Sequence, residues 1–207
     1  MLSGSKPFPP NYKRKKARTH HVLFQKKQPY SPGCRLYTAD APNSFVSRPL
    51  AEAELEFGGI RGDRHFGLTA KADARQPMYP RGTEILNRRQ ISLLSAEEME
   101  AVRADMAVEA LEPEWIGANL MLAGLPELTK LLPGTRLLFP SGAGLVCEGE
   151  NHPCMQAGKE VQNHVMPRER LPQSFVKAAA GRRGIVCSVE RPGRVCHGDE
   201  IRILDPI

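Results

Sequence analysis

The chain reads as a mainly-β protein, an antiparallel β-barrel with two or more helices packed outside it. Three observations predict this. Short alternating or apolar runs recur between closely spaced turn residues along most of its length. Only two segments carry good helix-boundary signals. The strand-helix-strand rhythm of a parallel α/β sheet is missing, as are the GxGxxG and Walker A loops that accompany it.

Residues 1–33 are rich in Pro, Lys and Arg and poor in aliphatic side chains, and are expected to form a disordered arm ahead of a single domain over 34–207. Residues 1–35 hold nine Lys or Arg and no Asp or Glu, whereas the whole chain has 29 basic and 23 acidic residues. The body is therefore slightly acidic, with a net charge of −3, and the pI of about 9.2 belongs to the arm. The run Lys13-Arg14-Lys15-Lys16 could meet an anionic polymer or lipid, or serve only as a solvated arm. The body itself does not point to nucleic acid.

From Cys34 the composition changes. Arg35 to Thr38 and Ala53 to Phe57 read as strands, the second with Glu54 and Glu56 alternating against Leu55 and Phe57. Gly58-Gly59 breaks that strand. Residues 68–84, with Pro77, Pro80 and Gly82, predict a long loop, conceivably a lid. Ile91 to Leu94 precedes a helix start. Ser95 can cap it, Glu98 completes a capping box, and Leu94 with Met99 forms a staple. Met99, Val102 and Met106 then give one buried stripe, and the helix should end near Ala110. Thr135 to Phe139 and Leu145 to Glu148 read as strands joined through Pro140-Ser141-Gly142. Pro172 and Gly181 bracket a second helix with Phe175, Val176 and Ala179 inward. Gly184 to Glu190, Arg194 to Cys196 and Glu200 to Leu204 close the chain as strands between turns.

Apolar residues make up 41% of the chain and the mean hydropathy is −0.39. No apolar run approaches the ~18–20 residues of a membrane span, and no apolar segment follows the N-terminal charges as in a secretory signal. A cytoplasmic protein is expected. The cysteines Cys34, Cys147, Cys154, Cys187 and Cys196 are odd in number and contain no CxxC pair. Reduced thiols fit better than a disulfide framework or a structural zinc site.

Cys154 is the residue with the most chemical content. It ends the stretch Glu150-Asn151-His152-Pro153-Cys154, where Pro153 stiffens the backbone that presents it. A thiolate there could bind a soft metal or accept sulfur. An isolated cysteine can also be an inert core residue, the role expected of Cys147, Cys187 and Cys196. Upstream, Gly58-Gly59-Ile60-Arg61-Gly62-Asp63-Arg64-His65-Phe66-Gly67 places cations among glycines, which suits backbone approach to an anionic ligand. Arg61 and His65 are candidates there, His65 as a proton donor also, while Asp63 suits a structural turn. Alternation through Asn87-Arg88-Arg89-Gln90 puts Asn87 and Arg89 on one face, taken as the pocket side. Asn119 could meet a ligand edge or complete a turn. Arg183 could anchor a phosphate or, with Arg182, complement a helix C-terminus.

Together these pieces resemble the MOSC family, named after the C-terminal domain of molybdenum cofactor sulfurases. The resemblance rests on Gly62-Asp63-Arg64-His65-Phe66-Gly67, Asn87-Arg88-Arg89-Gln90-Ile91-Ser92-Leu93-Leu94, Ile116-Gly117-Ala118-Asn119-Leu120 and Pro153-Cys154, in the family's order. The closing Gly184-Ile185, Pro192-Gly193 and Gly198-Asp199 turns complete it. It implies a β-barrel that binds the molybdenum cofactor, with Cys154 as the molybdenum ligand and reactive thiol. Arg61, Asn87, Arg89, Asn119, Asn151 and Arg183 are then expected to hold the cofactor, with His65 and Cys154 catalytic. Many members carry an arginine shortly before the Pro-Cys pair; Asn151 and His152 stand there in this chain. Family activities imply reduction of N-hydroxylated small molecules with electrons from a separate donor. The alternative is a persulfide carrier on Cys154, served by a partner cysteine desulfurase.

Overall fold

A computed structural model describes residues 33–41 and 43–206. The expected basic arm lies outside the described residues, apart from Gly33. In chain order, β1 (Cys34–Thr38) is followed by β2 (Arg48–Leu50), β3 (Glu52–Glu56) and β4 (Gly59–Ile60). After the glycine-flanked loop come β5 (Thr69–Lys71), β6 (Glu84–Leu86) and β7 (Ile91–Ser95), then α1 (Ala96–Met106). Next are β8 (Leu120–Leu122), β9 (Arg136–Leu138) and β10 (Gly144–Glu150), then the helices α2 (Met155–His164) and α3 (Leu171–Ala178). The chain closes with β11 (Ile185–Arg191), β12 (Gly193–Cys196) and β13 (Arg202–Leu204).

The expected closed antiparallel barrel is not formed among the described residues. The main sheet has eight strands in the order β13-β9-β10-β11-β7-β8-β1-β2, so β13 and β2 are edges. Its pairs are antiparallel except β7 with β8, which run parallel with Leu93 opposite Leu120. The reason is connectivity: α1 carries the chain from the end of β7 back to the start of β8, and such a crossover yields parallel neighbours. A βαβ unit is thus present where none was expected. A three-stranded sheet, β12-β3-β4, packs its Ala53, Leu55, Ile60 and Val195 into the same core as the main sheet. Segment 68–84 is only partly a loop, since β5 and β6 pair as a hairpin.

The central strand β7 is buried on both faces, and side-chain alternation divides two cores there. On β1, Leu36 joins the core between the sheets while Tyr37 joins the one beneath the helices. On β7, Leu93 and Leu94 divide in the same way, and all five residues of this central strand are buried. That burial explains its apolar run. α1 begins as its sequence predicts: the Ser95 hydroxyl accepts from the Glu98 N–H at 3.2 Å. The reciprocal half of the capping box is replaced, because the Glu98 carboxylate accepts from the Thr129 hydroxyl at 2.7 Å and N–H at 3.0 Å. The helix stops at Met106, before the expected Ala110, where Ala107 turns left-handed (φ 48°) and directs Val108 into the core.

α2 has no clear signal in the sequence. It buries only Ala157, Gly158 and Val161, and places a glycine in its own interior. Gly158 is needed for packing: a Cβ there would lie 2.6 Å from the Pro172 carbonyl oxygen and 2.7 Å from its Cα. The two helices therefore touch backbone to backbone, and α2 is fixed at the position from which it presents Cys154.

A buried polar chain joins the loops at one end of the sheet. The Asp63 carboxylate accepts from the Ala39 N–H (2.8 Å), the His65 N–H and Nδ1 (both 2.8 Å) and the Asn119 amide (2.8 Å). Asn119 Oδ1 accepts from the Ser92 N–H at 3.0 Å, and the Ser92 hydroxyl accepts from the Asn151 amide at 3.1 Å. Asn151 Oδ1 in turn accepts from Arg89 at 2.7 Å. Burial pushes the Asp63 carboxyl up, but the hydrogen bonds from His65 and the two backbone N–H groups outweigh it and hold the group below the usual carboxylate range.

Two predictions follow from this packing. Alanine is the better helix former by about 1 kcal/mol, yet Gly158→Ala should lower stability by about 1–3 kcal/mol through overpacking; a gain in urea unfolding would contradict the close helix contact. Asp63→Asn should cost about 1–3 kcal/mol at pH 7 by removing the charged acceptor. A carboxyl held low in the folded state contributes stability above its unfolded value of ~3.9 and loses it as pH falls through the folded value. The difference between wild type and variant should therefore shrink at pH 3; a constant difference in unfolding curves would rule out the charge as its source.

Candidate functional site

Cys154 is exposed, whereas Cys34, Cys147 and Cys187 are buried and Cys196 is half-buried; all five are free thiols. Burial pushes the Cys34 thiol up to about 12, raises Cys147, and raises Cys187 further still. These are core residues that resist ionisation. Cys154 is the N-cap of α2, with extended backbone (φ −133°, ψ 158°). No side chain caps this helix, and its first turn has no acidic residue. Its leading N–H groups therefore favour negative charge at the sulfur or on a ligand beside it.

The strands explain which residues meet there. β10 and β11 are antiparallel with Glu150 opposite Ile185. Residues just after β10 and just before β11 must then be neighbours, and the Asn151 N–H donates to the Gly184 carbonyl at 2.9 Å. Gly184 has φ 80°, and a Cβ on it would fall 1.9 Å from the Leu93 carbonyl oxygen, so only glycine lets this turn close against β7. Arg183, one residue earlier, is buried and donates to the Ile116 carbonyl.

Arg183 is buried, with 7% of its surface exposed. One end of its guanidinium donates to the Ile116 carbonyl, while Nη1 is buried with no partner. Burial draws its pKa down to about 10; the charge of Cys154 works in the opposite direction and that of Arg89 adds to the fall. Arg89 is also drawn down to about 10, by burial first and then by Arg75, with Asp73 and Cys154 opposing. Arg75 pairs with Asp73 and is raised mainly by that contact, with a smaller contribution from Cys154. Arg75, Arg89 and Arg183 thus lie within electrostatic range of Cys154, and each is favoured by negative charge there. A buried donor left unpaired is a costly arrangement unless a ligand completes it.

The structure brings together Cys154, Arg89, Asn151 and Arg183 from the residues that the sequence singled out. Asn87 sits one step back: its amide donates to the His65 and Gly67 carbonyls, and its oxygen accepts from the Arg89 N–H at 3.0 Å. It fixes the segment that aims Arg89. Asn119 is an internal strut between Asp63 and Ser92. Arg61 is turned elsewhere, pairing with Glu56 at the surface with 77% of its side chain exposed. The His65 ring donates through Nδ1 to Asp63, because an ionised carboxylate can only accept, which leaves Nε2 outward. Arg88 is exposed and pairs with Glu148, but Gln90 is buried and its amide donates to the Phe57 carbonyl and, with that of Asn87, to the Gly67 carbonyl, so residues 87–90 do not keep the expected two-face alternation. Arg75 and Ser92 were not legible as site residues. Arg75 lies in a Pro-rich stretch with no periodicity, and only the hairpin carries it to Cys154.

Among the described residues no three His, Cys, Asp or Glu side chains gather to hold a metal ion. A metal bound at Cys154 would have to arrive with most of its own ligands. The single thiol and the surrounding arginines fit an anionic group of that kind, with Cys154 as ligand and Arg89 and Arg183 facing its negative end. No helix of the described residues is long and apolar enough to cross a membrane.

The sequence model described as the MOSC domain matches residues 61–202. YuaD of Bacillus subtilis (strain 168), whose name ties it to metal-sulfur cluster biosynthesis, is 52% identical over 168 residues, covering 81% of this chain and 87% of its own. The crystal structure of the YuaD protein superposes with a TM-score of 0.80 at 51% identity, over 84% of this chain and 94% of that one. YiiM from Escherichia coli shares the fold, with a TM-score of 0.58 at 16% identity over 87% and 72% of the two chains. The motif order, the fold and these likenesses agree: the chain belongs to the MOSC domain family.

Proposed function

We propose that this protein handles sulfur for a metal–sulfur cofactor, with Cys154 as the atom that receives it. The observation that carries this reading is an exposed thiol at an uncapped helix N-terminus, within electrostatic range of a buried guanidinium whose Nη1 has no partner. The name of YuaD, which links that relative to metal-sulfur cluster biosynthesis, supports the same direction. In the loading step the Cys154 thiolate attacks the outer sulfur of a donor persulfide. The donor S–S bond breaks, the donor leaves as a thiolate, and a new S–S bond forms on Cys154 with no net redox change. Arg89 and Arg183 stabilise the anionic persulfide, and the α2 N-terminus orients it. The donor is a separate cysteine desulfurase, and the acceptor is an anionic metal group or the thiolate of a protein that carries one.

A second reading rests on the family to which the chain belongs and on a single thiol within electrostatic range of Arg89 and Arg183. Here the molybdenum cofactor binds through Cys154, with Arg89, Asn151 and Arg183 holding its anionic end. When bound, the cofactor supplies the two-electron chemistry that turns N–OH into N–H and water, with electrons from an external donor. Cys154, Arg89 and Arg183 serve both readings, as a thiol and as countercharges. His65, held by Asp63, is the proton donor of the second.

Three measurements test these assignments. In native protein a thiol-alkylating reagent should label Cys154 first and leave Cys34, Cys147 and Cys187 unlabelled until denaturation; equal labelling would contradict their burial. After incubation with a cysteine desulfurase and cysteine, mass spectrometry should find one added sulfur on Cys154, absent in Cys154→Ser. Sulfur uptake unchanged in that variant removes the carrier reading. In protein made by a cofactor-competent host, molybdenum and pterin retained by wild type and lost in Cys154→Ala would favour the second reading. Arg183→Met should then reduce retention about tenfold or more, as expected for one charge-assisted hydrogen bond of ~1.5–3 kcal/mol.

A further inference from the structure

We infer that Glu98 and Thr129 are positioning residues for Arg183, acting through the peptide group that joins Arg183 to Gly184. Glu98 stands where a capping box would turn its carboxylate back to the start of α1, but the carboxylate points elsewhere. It accepts from the Thr129 N–H at 3.0 Å and from the Thr129 hydroxyl at 2.7 Å. That hydroxyl in turn accepts from the Gly184 N–H at 2.8 Å. The Gly184 N–H belongs to the planar unit that carries the Arg183 carbonyl, so Thr129 fixes the direction of both. The relay runs from Gly184 through Thr129 to Glu98, and both side chains are buried, Thr129 8% and Glu98 4% exposed. Burial pushes the Glu98 carboxyl up, and the two bonds from Thr129 oppose it. Burying a carboxylate is costly, and here its hydrogen bonds serve the turn before β11 rather than the helix that bears it.

That turn is where the two halves of the site meet. Gly184 is held through both of its backbone groups, the N–H by Thr129 and the carbonyl by the Asn151 N–H at 2.9 Å. Arg183 is therefore fixed at its backbone by the relay and at its tip by the Ile116 carbonyl, which leaves Nη1 without a partner. A guanidinium tied at both ends is pre-organised, and a ligand at Nη1 need not order it. The other contacts of the turn are exposed: Arg182 pairs with Asp105 at 2.6 Å, and the Gly181 N–H donates to Glu150 at 3.1 Å. Exposed ion pairs hold weakly, so the buried relay is the brace that matters. Partners that orient a liganding group from behind change affinity by roughly 10–100-fold in metal sites. The role assigned to Glu98 and Thr129 rests on the function proposed above, in which Arg183 holds an anionic group.

The test titrates tungstate into the full chain by calorimetry, at a temperature where each variant is folded. Arg183→Met should weaken binding about tenfold or more. Thr129→Val keeps the shape and removes the hydroxyl, and should weaken binding by about three- to tenfold. Thr129→Ser keeps the hydroxyl and should restore it. Glu98→Gln breaks the relay independently, because its amide offers one acceptor to the two Thr129 donors. It should weaken binding in the same way, and it decides the matter should Thr129→Val fail to fold. In an Arg183→Met background neither change should weaken binding further, since both act through Arg183. Asp105→Asn, at the exposed pair, should leave wild-type binding unchanged. Full-strength binding by Thr129→Val and Glu98→Gln, a Thr129→Ser protein as weak as Thr129→Val, or equal losses with and without Arg183 overturns the proposal and leaves the relay a role in stability alone. Wild type that binds no tungstate, or Arg183→Met that binds it as well as wild type, removes the reading of the site and the positioning role with it, so the two failures are told apart.

Discussion

The hydrogen-bonded chain from Asp63 through Asn119, Ser92 and Asn151 to Arg89 ties four distant stretches of sequence to one end of the main sheet. Asn119 and Asn151 each use both ends of the amide, Asp63 only accepts and Arg89 only donates, so the chain runs in one direction and has little freedom to rearrange. Asp63 anchors it with a buried charge that receives bonds from two backbone N–H groups. Arg89 is its far end, and it is held where it faces Cys154. The glycine-flanked loop, the parallel strand pair and the turn before the Pro-Cys pair therefore form one unit. Fold and site cannot be separated here, because the groups that brace the loops also aim the cation.

The site itself is electrostatically incomplete. Arg75 disfavours the charge on Arg89, Arg89 disfavours that on Arg183, and each of the three is favoured by negative charge at Cys154. The protein carries the cost of gathering these cations and of burying Nη1 of Arg183 without a partner. Such a cost is characteristic of functional sites, where local stability is given up for ligand affinity. A bound anion would relieve the repulsion and complete the hydrogen bonding, and it would stabilise the folded protein through linkage.

Much of the fold was legible because local and tertiary preferences agreed. β1, β3, β7 and β11 showed their alternation or apolar runs, Ser95 showed the cap of α1, and Pro172 marked the start of α3. The closed barrel was the main error. The β7-α1-β8 crossover enforces a parallel pair, and the local pattern of α1 carries no information about which strands it joins. α2 was missed since its only buried residues are Ala157, Gly158 and Val161, and its interior glycine answers to Pro172, a contact no local pattern shows. At the site, Cys154, Arg89, Asn151 and Arg183 could be read from motif context. Arg61 looked equivalent to them by composition, yet Glu56, five residues earlier, neutralises it at the surface. Arg75 had no signal, since its position follows only from the pairing of Thr69–Lys71 with Glu84–Leu86.

An exposed sulfur and a buried guanidinium with one unpaired nitrogen together form the proposed seat for an anionic sulfur- or metal-bearing group. Anomalous diffraction from crystals soaked in tungstate, a heavy oxyanion analogue of molybdate, tests it most directly. The account predicts one principal peak within hydrogen-bond reach of Arg183 Nη1, between Arg89 and the Cys154 sulfur, that disappears in Arg183→Met. Peaks only at exposed surface arginines, with Nη1 of Arg183 still unpaired, would contradict it.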